Sequence, residues 1–198
     1  MKIKAILLAI TMCTLFLITG CGGNAMTTRT VAGSAPTSAA HESLKGKRIL
    51  IAYYSWSGHT RQVAEQIQKE VGGDLFEIKT VKTYPNEHDA ASQEAKKELD
   101  TNARPDLKDT VSNMAGYDVI ILGYPIWWYT APMAVNTFLE SYDLAGKVIV
   151  PFCTSGGYGV EKSVSDIRKV AGRAEVLDGL LANDKGALDP WLKKSGLL

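Results

Sequence analysis

The sequence predicts an α/β protein of three layers, in which a five-stranded parallel sheet is covered by helices on both faces. Five apolar runs alternate along the chain with segments of helical periodicity, which is the pattern of a parallel sheet with helical crossovers. The apolar runs are nearly continuous, as in strands that are buried on both faces. Hydrophobic residues make up 45% of the chain, which is enough for a packed core and argues against global disorder.

The five predicted strands differ in the clarity of their pattern. DVIILGY is the strongest, and RILIAYYS is a similar short apolar run that ends in a turn-like sequence. DLFEIKTV alternates only imperfectly, so we expect this strand near an edge of the sheet. The predicted strands are Arg48–Ser55, Asp74–Val81, Asp118–Tyr124, Lys147–Thr154 and Ala174–Ala182.

Helical segments separate and follow the strands. The first has apolar residues at Val63, Ala64, Ile67 and Val71, which fall on one helical face, and it stops at two glycines. Pro190 lies in the first turn of the last helix, where proline is tolerated. The predicted helices are Arg61–Val71, Glu87–Leu99, Ala134–Tyr142, Glu161–Ala171 and Leu188–Leu198.

The N-terminal part of the chain is not predicted to belong to the fold. Two lysines precede the apolar run Ala5–Ile18, which is too short for an ordinary membrane span, so we expect residues 1–21 to be an export signal. The run ends in LITGC, which resembles the bacterial lipobox and implies lipid at Cys21; the alternative is an ordinary secretory signal. Residues 22–44 are expected to be a flexible tether and residues 45–198 the folded domain. These assignments predict a cell-envelope protein, lipid-anchored to a bacterial membrane on the non-cytoplasmic side.

Charge and cysteine content argue against several classes of function. The formal net charge is +1, but residues 1–40 contain basic residues and no acid, which leaves 19 basic and 21 acidic residues from His41 onward. A domain with a net charge of −2 has no basic face suggested by its composition, so nucleic acid is not an expected partner. Cys153 is the single cysteine of the domain, so no disulfide is predicted within it. No histidine is closely spaced with Cys153, so no metal site is predicted either.

Three loops follow the first, third and fourth strands, at the edge where open sheets of this kind bind ligands. The first loop, SWSGHT, combines hydroxyl groups, a glycine for close backbone approach and the N-terminus of a helix. This combination suits a phosphate monoester. The absence of a lysine and of the P-loop pattern disfavours a triphosphate with magnesium. The alternative is an ordinary turn with Thr60 as the helix N-cap.

The second loop, YPIWWYTAPM, places Trp127, Trp128 and Tyr129 between prolines. Such a rigid aromatic rim suits stacking on a flat ring, and the alternative is a hydrophobic plug or a partner-binding patch. The third loop, CTSGGYGVEK, exposes backbone N–H donors that suit the carbonyl edge of a pyrimidine-like ring. A dinucleotide-binding interpretation of GYGVEK is weak, because Lys162 stands where the third glycine is required.

Together these loops resemble those of the flavodoxin family. The first is similar to the flavodoxin pattern S/T-x-S/T-G-x-T. GYPIWW followed by TAPM, and FCTSGG, are similar to bacterial flavodoxin-like proteins of about this domain size. The resemblance runs from about Gly46 to the end of the chain. It implies a sheet of strand order 2-1-3-4-5 and one non-covalently bound flavin mononucleotide (FMN).

The resemblance also implies which residues bind FMN. The phosphate would be held by Ser55, Trp56, Ser57, Gly58, His59 and Thr60. One side of the ring would be lined by Pro125, Ile126, Trp127 and Trp128. The ring edge would be contacted by Thr154, Ser155, Gly156, Gly157, Tyr158 and Gly159. Related sequences often have glycine where this chain has Tyr129; a positive φ costs tyrosine about 1 kcal/mol or more, so we do not expect strong stabilisation of the flavin semiquinone.

The implied function is electron transfer by an FMN-dependent redox protein held at a membrane surface. Its partner would be a redox protein or a small-molecule acceptor, and the flavin would carry the chemistry, since no residue is predicted to act as a catalytic acid or base. Two alternatives remain: an NAD(P)H- or quinone-dependent FMN oxidoreductase, and a non-redox binding module that kept the fold.

Overall fold

The computed structural model describes residues 43–198. The predicted export signal, the predicted lipidation site at Cys21 and the predicted tether up to residue 42 lie outside the described residues. Within residues 43–198, no helix has both the length and the apolar character that crossing a membrane requires.

Strands and helices alternate along the described chain as predicted. The strands are β1 Ile49–Tyr53, β2 Asp74–Glu77, β3 Val119–Pro125, β4 Val148–Thr154, β5 Glu175–Val176 and β6 Leu180–Leu181. The helices are α1 His59–Val71, α2 His88–Asp100, α3 Met133–Glu140, α4 Glu161–Val170 and α5 Leu188–Lys194.

All neighbouring strands of the sheet are parallel, and their order is β2-β1-β3-β4-β5, with β6 also paired to β4. This confirms the predicted order 2-1-3-4-5. It also confirms the edge position of the second strand, which ends at Glu77 and not at Val81 as the sequence suggested. The central strand β3 is almost wholly buried, in keeping with its continuous apolar run.

The fifth predicted strand is divided into β5 and β6, and Pro151 explains the division. The carbonyl groups of Lys147, Ile149 and Cys153 accept hydrogen bonds from the fifth-strand segment, so alternate residues of β4 face that neighbour. Pro151 belongs to the same row and has no N–H to donate. The ladder is therefore interrupted at Pro151: between the pairs Ile149–Val176 and Phe152–Leu180, the fifth-strand segment has three residues and β4 has two.

Two apolar layers cover the sheet. On one face, α1 and α5 pack on a cluster that includes Ile51, Val150 and Phe152. On the other face, α3 and α4 pack on a cluster that includes Leu50 and Ile120, and α2 lies beside α3. Successive residues of β1 thus enter opposite layers, as the two-residue period of a strand requires.

The folded domain includes one residue that the sequence analysis left at the end of the tether. Leu44 is buried in the α1/α5 layer, and its N–H donates to the Gly196 carbonyl at 2.7 Å. This contact ties the start of the described chain to the segment after α5.

Candidate functional site

The carboxyl ends of β1, β3 and β4 open into one cavity of about 680 Å³, which is within the usual range for a small-molecule site. All three predicted loops contribute to its walls. The residues that line it are Trp56, Ser57, His59, Gln62, Val63, Gln66, His88, Pro125, Ile126, Trp127, Thr154, Ser155, Gly156, Ala182, Asn183, Asp184 and Leu188.

The loop between β1 and α1 presents a row of unused backbone donors. Gly58 has a φ of 89°, a left-handed conformation that favours glycine, and α1 begins directly after it. The Ser55 hydroxyl accepts the Arg61 N–H at 3.2 Å and so satisfies one of the free donors of the first helical turn. Within residues 43–198 the N–H groups from Ser55 to Thr60 have no acceptor. Free N–H groups at a helix N-terminus form an anion site.

The Thr60 side chain is engaged inside the fold, and the alternative prediction of Thr60 as the helix N-cap is wrong. It is the second residue of α1 and not the N-cap, and its side chain is 1% exposed. Its hydroxyl is 3.0 Å from that of Thr154, so it links α1 to the end of β4. Of the three predicted hydroxyls, that of Ser57 is the most exposed, and it contacts His59 Nδ1 at 2.8 Å.

The loop after β3 contains a tight turn with a strained backbone. Trp127 and Thr130 exchange two backbone hydrogen bonds, at 2.9 and 3.1 Å, around Trp128 and Tyr129. Both central residues have positive φ, 49° and 68°, as in a type I′ turn, which normally uses Asn and Gly. Such a conformation costs roughly 1–2 kcal/mol for each non-glycine residue, so surrounding contacts must hold it.

The two tryptophans of this turn are held on different partners. Trp127 lies edge-on to Tyr54 and Tyr84, with ring centroids 5.5 and 5.0 Å away, and lines the cavity. Trp128 instead lies against α2, where its indole N–H donates to the Ser92 carbonyl at 2.9 Å and Lys96 Nζ is 5.7 Å from the ring centre. Of these two predicted ring contacts, Trp127 lines the cavity, whereas the Trp128 side chain is held on α2 and anchors the turn.

The loop after β4 is organised by Ser155. Its hydroxyl accepts the N–H groups of Gly157 and Tyr158, so these two predicted ring donors are already used. The Gly156 N–H has no acceptor within the described residues, and Gly156 lines the cavity. The Tyr158 ring lies outside the cavity and packs on Tyr129, with centroids 4.3 Å apart.

Not all predicted site residues meet in the cavity. Its lining includes Trp56, Ser57, His59, Pro125, Ile126, Trp127, Thr154, Ser155 and Gly156. The predicted residues that do not line it are Ser55, Gly58, Thr60, Trp128, Gly157, Tyr158 and Gly159.

The loop after β6 was not among the predicted parts of the site. Ala182, Asn183 and Asp184 line the cavity beside Ser155. Their position after the fifth strand could have predicted that they line the cavity, because the carboxyl ends of parallel strands meet at one edge of the sheet. That loop had no glycine-rich or aromatic pattern to single it out.

The Cys153 thiol and the Arg61–Glu77 ion pair lie outside the cavity lining. Burial raises the pKa of Cys153 to about 12, so this thiol is protonated and unreactive at neutral pH. The Arg61 guanidinium pairs with Glu77 on β2. Among residues 43–198, no group of three or more His, Cys, Asp or Glu side chains could hold a metal ion.

The comparisons with known proteins agree with this geometry. A family profile described as flavodoxin matches residues 48–195. The chain therefore belongs to the flavodoxin family, which confirms the resemblance of its three loops.

Individual proteins of known sequence or structure are also similar to this chain. Flavodoxin 1 of Salmonella typhimurium is 28% identical over 106 residues, which cover 52% of this chain and 46% of that protein, so the match spans about half of the curated relative. A flavoprotein of Lactobacillus acidophilus solved in complex with FMN is 28% identical, with a TM-score of 0.64 and coverage of 73% of this chain and 98% of that chain. A candidate flavoprotein of Bacteroides eggerthii is 37% identical, with a TM-score of 0.66 and coverage of 74% and 96%.

Proposed function

We propose that this chain is an FMN-binding redox protein that exchanges electrons at the surface of a bacterial membrane. The observation that carries the proposal is the row of N–H groups from Ser55 to Thr60, which has no acceptor in the described chain and leads into α1. A phosphate monoester suits these donors and the positive end of the helix dipole. The adjoining cavity of about 680 Å³ provides room for the rest of a nucleotide.

The residues of the cavity fit the separate parts of FMN. Pro125, Ile126 and Trp127 supply an apolar and aromatic wall for the flat ring, and Gly156 supplies a backbone donor for its polar edge. Polar side chains such as Asp184 suit the hydroxyl groups of the sugar-alcohol chain. FMN is also the ligand named for the Lactobacillus acidophilus relative, which supports the same cofactor here.

When bound, FMN would supply the reversible uptake and release of electrons, and the chain would supply binding and orientation. The β1–α1 loop would fix the phosphate, and Trp127, held edge-on by Tyr54 and Tyr84, would present a rigid wall to the ring. The strained turn after β3 would be kept in place by Trp128 on α2. None of these residues needs to act as an acid or a base.

Native mass spectrometry of the purified protein tests the cofactor proposal. We expect the mass of one FMN above that of the chain, together with the visible absorption of an oxidised flavin. A protein that purifies colourless and fails to bind added FMN would instead support the non-redox binding module.

The lipid anchor is a separate part of the proposal and rests on LITGC before Cys21. We expect Cys21→Ser to block processing or to release the protein from membranes, whereas Cys13→Ser, inside the apolar run, should change neither. Unchanged processing and attachment of the Cys21→Ser protein would contradict lipidation.

The electron-transfer role competes with that of an oxidoreductase. The slightly acidic composition of the domain does not decide between a protein partner and a small-molecule acceptor. Steady-state oxidation of NAD(P)H with a quinone separates the two: a shuttle protein should show negligible turnover, and sustained turnover would assign the enzyme activity.

A further inference from the structure

A second cavity, of about 400 Å³, opens at the carboxyl ends of β1 and β2, beside the cavity described above. Its lining combines aromatic rings at the back with polar and basic residues at the rim. The residues are Tyr54, Ser55, Trp56, Glu77, Ile78, Lys79, Thr80, Val81, Thr83, Tyr84, Asn86 and Lys108.

The aromatic part of this second cavity is rigid. Trp56 is fixed by its indole N–H, which donates to the Pro85 carbonyl at 3.0 Å. Tyr84 is fixed by its hydroxyl, which donates to Glu98 on α2, and its ring lies edge-on to that of Tyr54 with centroids 6.0 Å apart. Pre-ordered aromatic side chains suit a flat apolar ligand, because little rotamer freedom is lost on binding.

The rim of the second cavity carries excess positive charge in a domain whose composition is slightly acidic. Lys79 and Lys108 lie side by side, since the Lys108 N–H donates to the Lys79 carbonyl at 2.8 Å. Glu77 contacts Lys79 at 3.0 Å but also pairs with Arg61, so one carboxylate faces two cations. Lys108 forms no ion pair within residues 43–198. Among the charged residues that line this cavity, one carboxylate therefore faces the two cations Lys79 and Lys108.

We propose that this second cavity binds a small aromatic carboxylate, with its ring against Trp56 and Tyr84 and its anionic group at Lys79 and Lys108. Trp56 lines both cavities, so the ligand would lie across the indole from the flavin cavity. Such a ligand would sit next to the cofactor without displacing it. Lys79, Tyr84 and Lys108 lie outside the β1–α1 loop, and Trp56 is fixed by the Pro85 carbonyl, so the site does not depend on the flavin.

Calorimetric titration of the purified FMN-loaded protein with 2-naphthoate tests this proposal. We expect saturable binding that is at least about tenfold tighter than that of the uncharged 2-naphthamide, because only the carboxylate interacts with the lysines. FMN should remain bound throughout the titration. The same titration on FMN-free protein should give a similar affinity. Because this titration needs no FMN, it tests the second cavity independently of the flavin proposal.

Substitutions at the rim locate the site. Lys79→Gln with Lys108→Gln should weaken 2-naphthoate about tenfold or more and leave FMN affinity unchanged, whereas Lys69→Gln, an exposed lysine on α1, should have no effect. Equal affinity for the carboxylate and the amide, release of FMN by 2-naphthoate, no binding at millimolar concentration, or an unchanged affinity in the double variant would each overturn the proposal.

Discussion

The side-chain amide of Asn183 binds both the N–H and the carbonyl of Ser155. Asn183 Oδ1 accepts the Ser155 N–H at 3.0 Å, and Asn183 Nδ2 donates to the Ser155 carbonyl at 2.6 Å. Asn183 follows β6, and Ser155 follows β4. The loop that carries Gly156 is therefore positioned by the loop of the neighbouring strand.

Asn183→Ala should loosen this loop and weaken flavin binding. The two lost hydrogen bonds contribute about 0.5–1.5 kcal/mol each, so we expect about a tenfold loss of affinity for FMN and riboflavin alike. Fluorescence titration of the apoprotein with each flavin measures the effect. Asn183→Asp, which keeps only the acceptor, should lie between the two proteins, and an unchanged riboflavin affinity in the alanine variant would show that the contact does not position the loop.

Tyr129→Gly should stabilise the fold. Tyr129 has a φ of 68° and is half exposed, so glycine would relieve backbone strain with little loss of burial. We expect the free energy of unfolding in urea to rise by about 0.5–1 kcal/mol, somewhat less than the strain itself because glycine is also freer when unfolded. Trp128→Gly should destabilise, since it removes the contacts with Ser92 and Lys96. A loss of stability in Tyr129→Gly would show that packing on Tyr158 outweighs the strain.

Gly123→Ala should destabilise the centre of the sheet. A Cβ atom at Gly123 would lie 2.1 Å from Cζ of Phe152 on the adjacent strand, so the aromatic ring must move. Overpacking of this kind costs about 3 kcal/mol. Gly156→Ala, where a Cβ meets nothing within 4 Å, should change unfolding by less than about 0.5 kcal/mol. Combining Gly123→Ala with Phe152→Leu should restore part of the loss, and no rescue would place the strain elsewhere.

Asp166 should make the free energy of unfolding of the domain vary with pH in the acid range. Burial raises the pKa of this carboxyl, but hydrogen bonds from Lys162, Lys169 and Thr130 outweigh burial and hold it below its usual value. A carboxyl with a lowered pKa stabilises the fold fully above its unfolded pKa of about 3.9, and this contribution is lost as pH falls through the folded value.

Asp166→Asn should therefore reduce the free energy of unfolding at neutral pH by about 1 kcal/mol. As pH falls below the unfolded pKa of about 3.9, the difference from the parent protein should shrink. Asp89→Asn is the control, because the Asp89 side chain is 96% exposed. A difference that stays constant from neutral to acid pH would contradict the assigned contacts.

The sequence predicted the sheet because each strand carries its own apolar run, and β3 shows this most clearly. The division of the fifth strand was harder to foresee. Pro151 is visible in the sequence, but whether its missing N–H faces the third or the fifth strand depends on the register of the whole sheet. The ends of the helices also differ from the prediction. α1 begins at His59 and not at Arg61, because Gly58 adopts a left-handed φ that the sequence permits but does not require.

The site could be predicted at the level of loops and less well at the level of side chains. The β1–α1 loop was recognised as a candidate anion site because Gly58 and a helix start predict free backbone donors. The sequence pattern could not distinguish the roles of Trp127 and Trp128. Their side chains diverge at a turn whose backbone is unfavourable for both of its central residues, Trp128 and Tyr129. Asn183 was missed because a single amide carries no local signal.

The central claim is that the β1–α1 loop binds the phosphate of FMN, and Ser57→Asp tests it most directly. Ser57 is exposed beside free N–H groups at the start of α1. A carboxylate there favours the helix N-terminus, so the fold should not suffer, but it repels a phosphate dianion. Ser57→Asn is the matched neutral control.

The measurement is the pair of dissociation constants for FMN and riboflavin in the parent protein and both variants. We predict that Ser57→Asp weakens FMN by about 100-fold or more, equivalent to about 2.7 kcal/mol, while riboflavin affinity changes by less than about twofold. Ser57→Asn should retain most of the FMN affinity. Equal FMN affinity in the parent and Ser57→Asp proteins, or an equal loss for both flavins, would contradict binding of the phosphate at this loop.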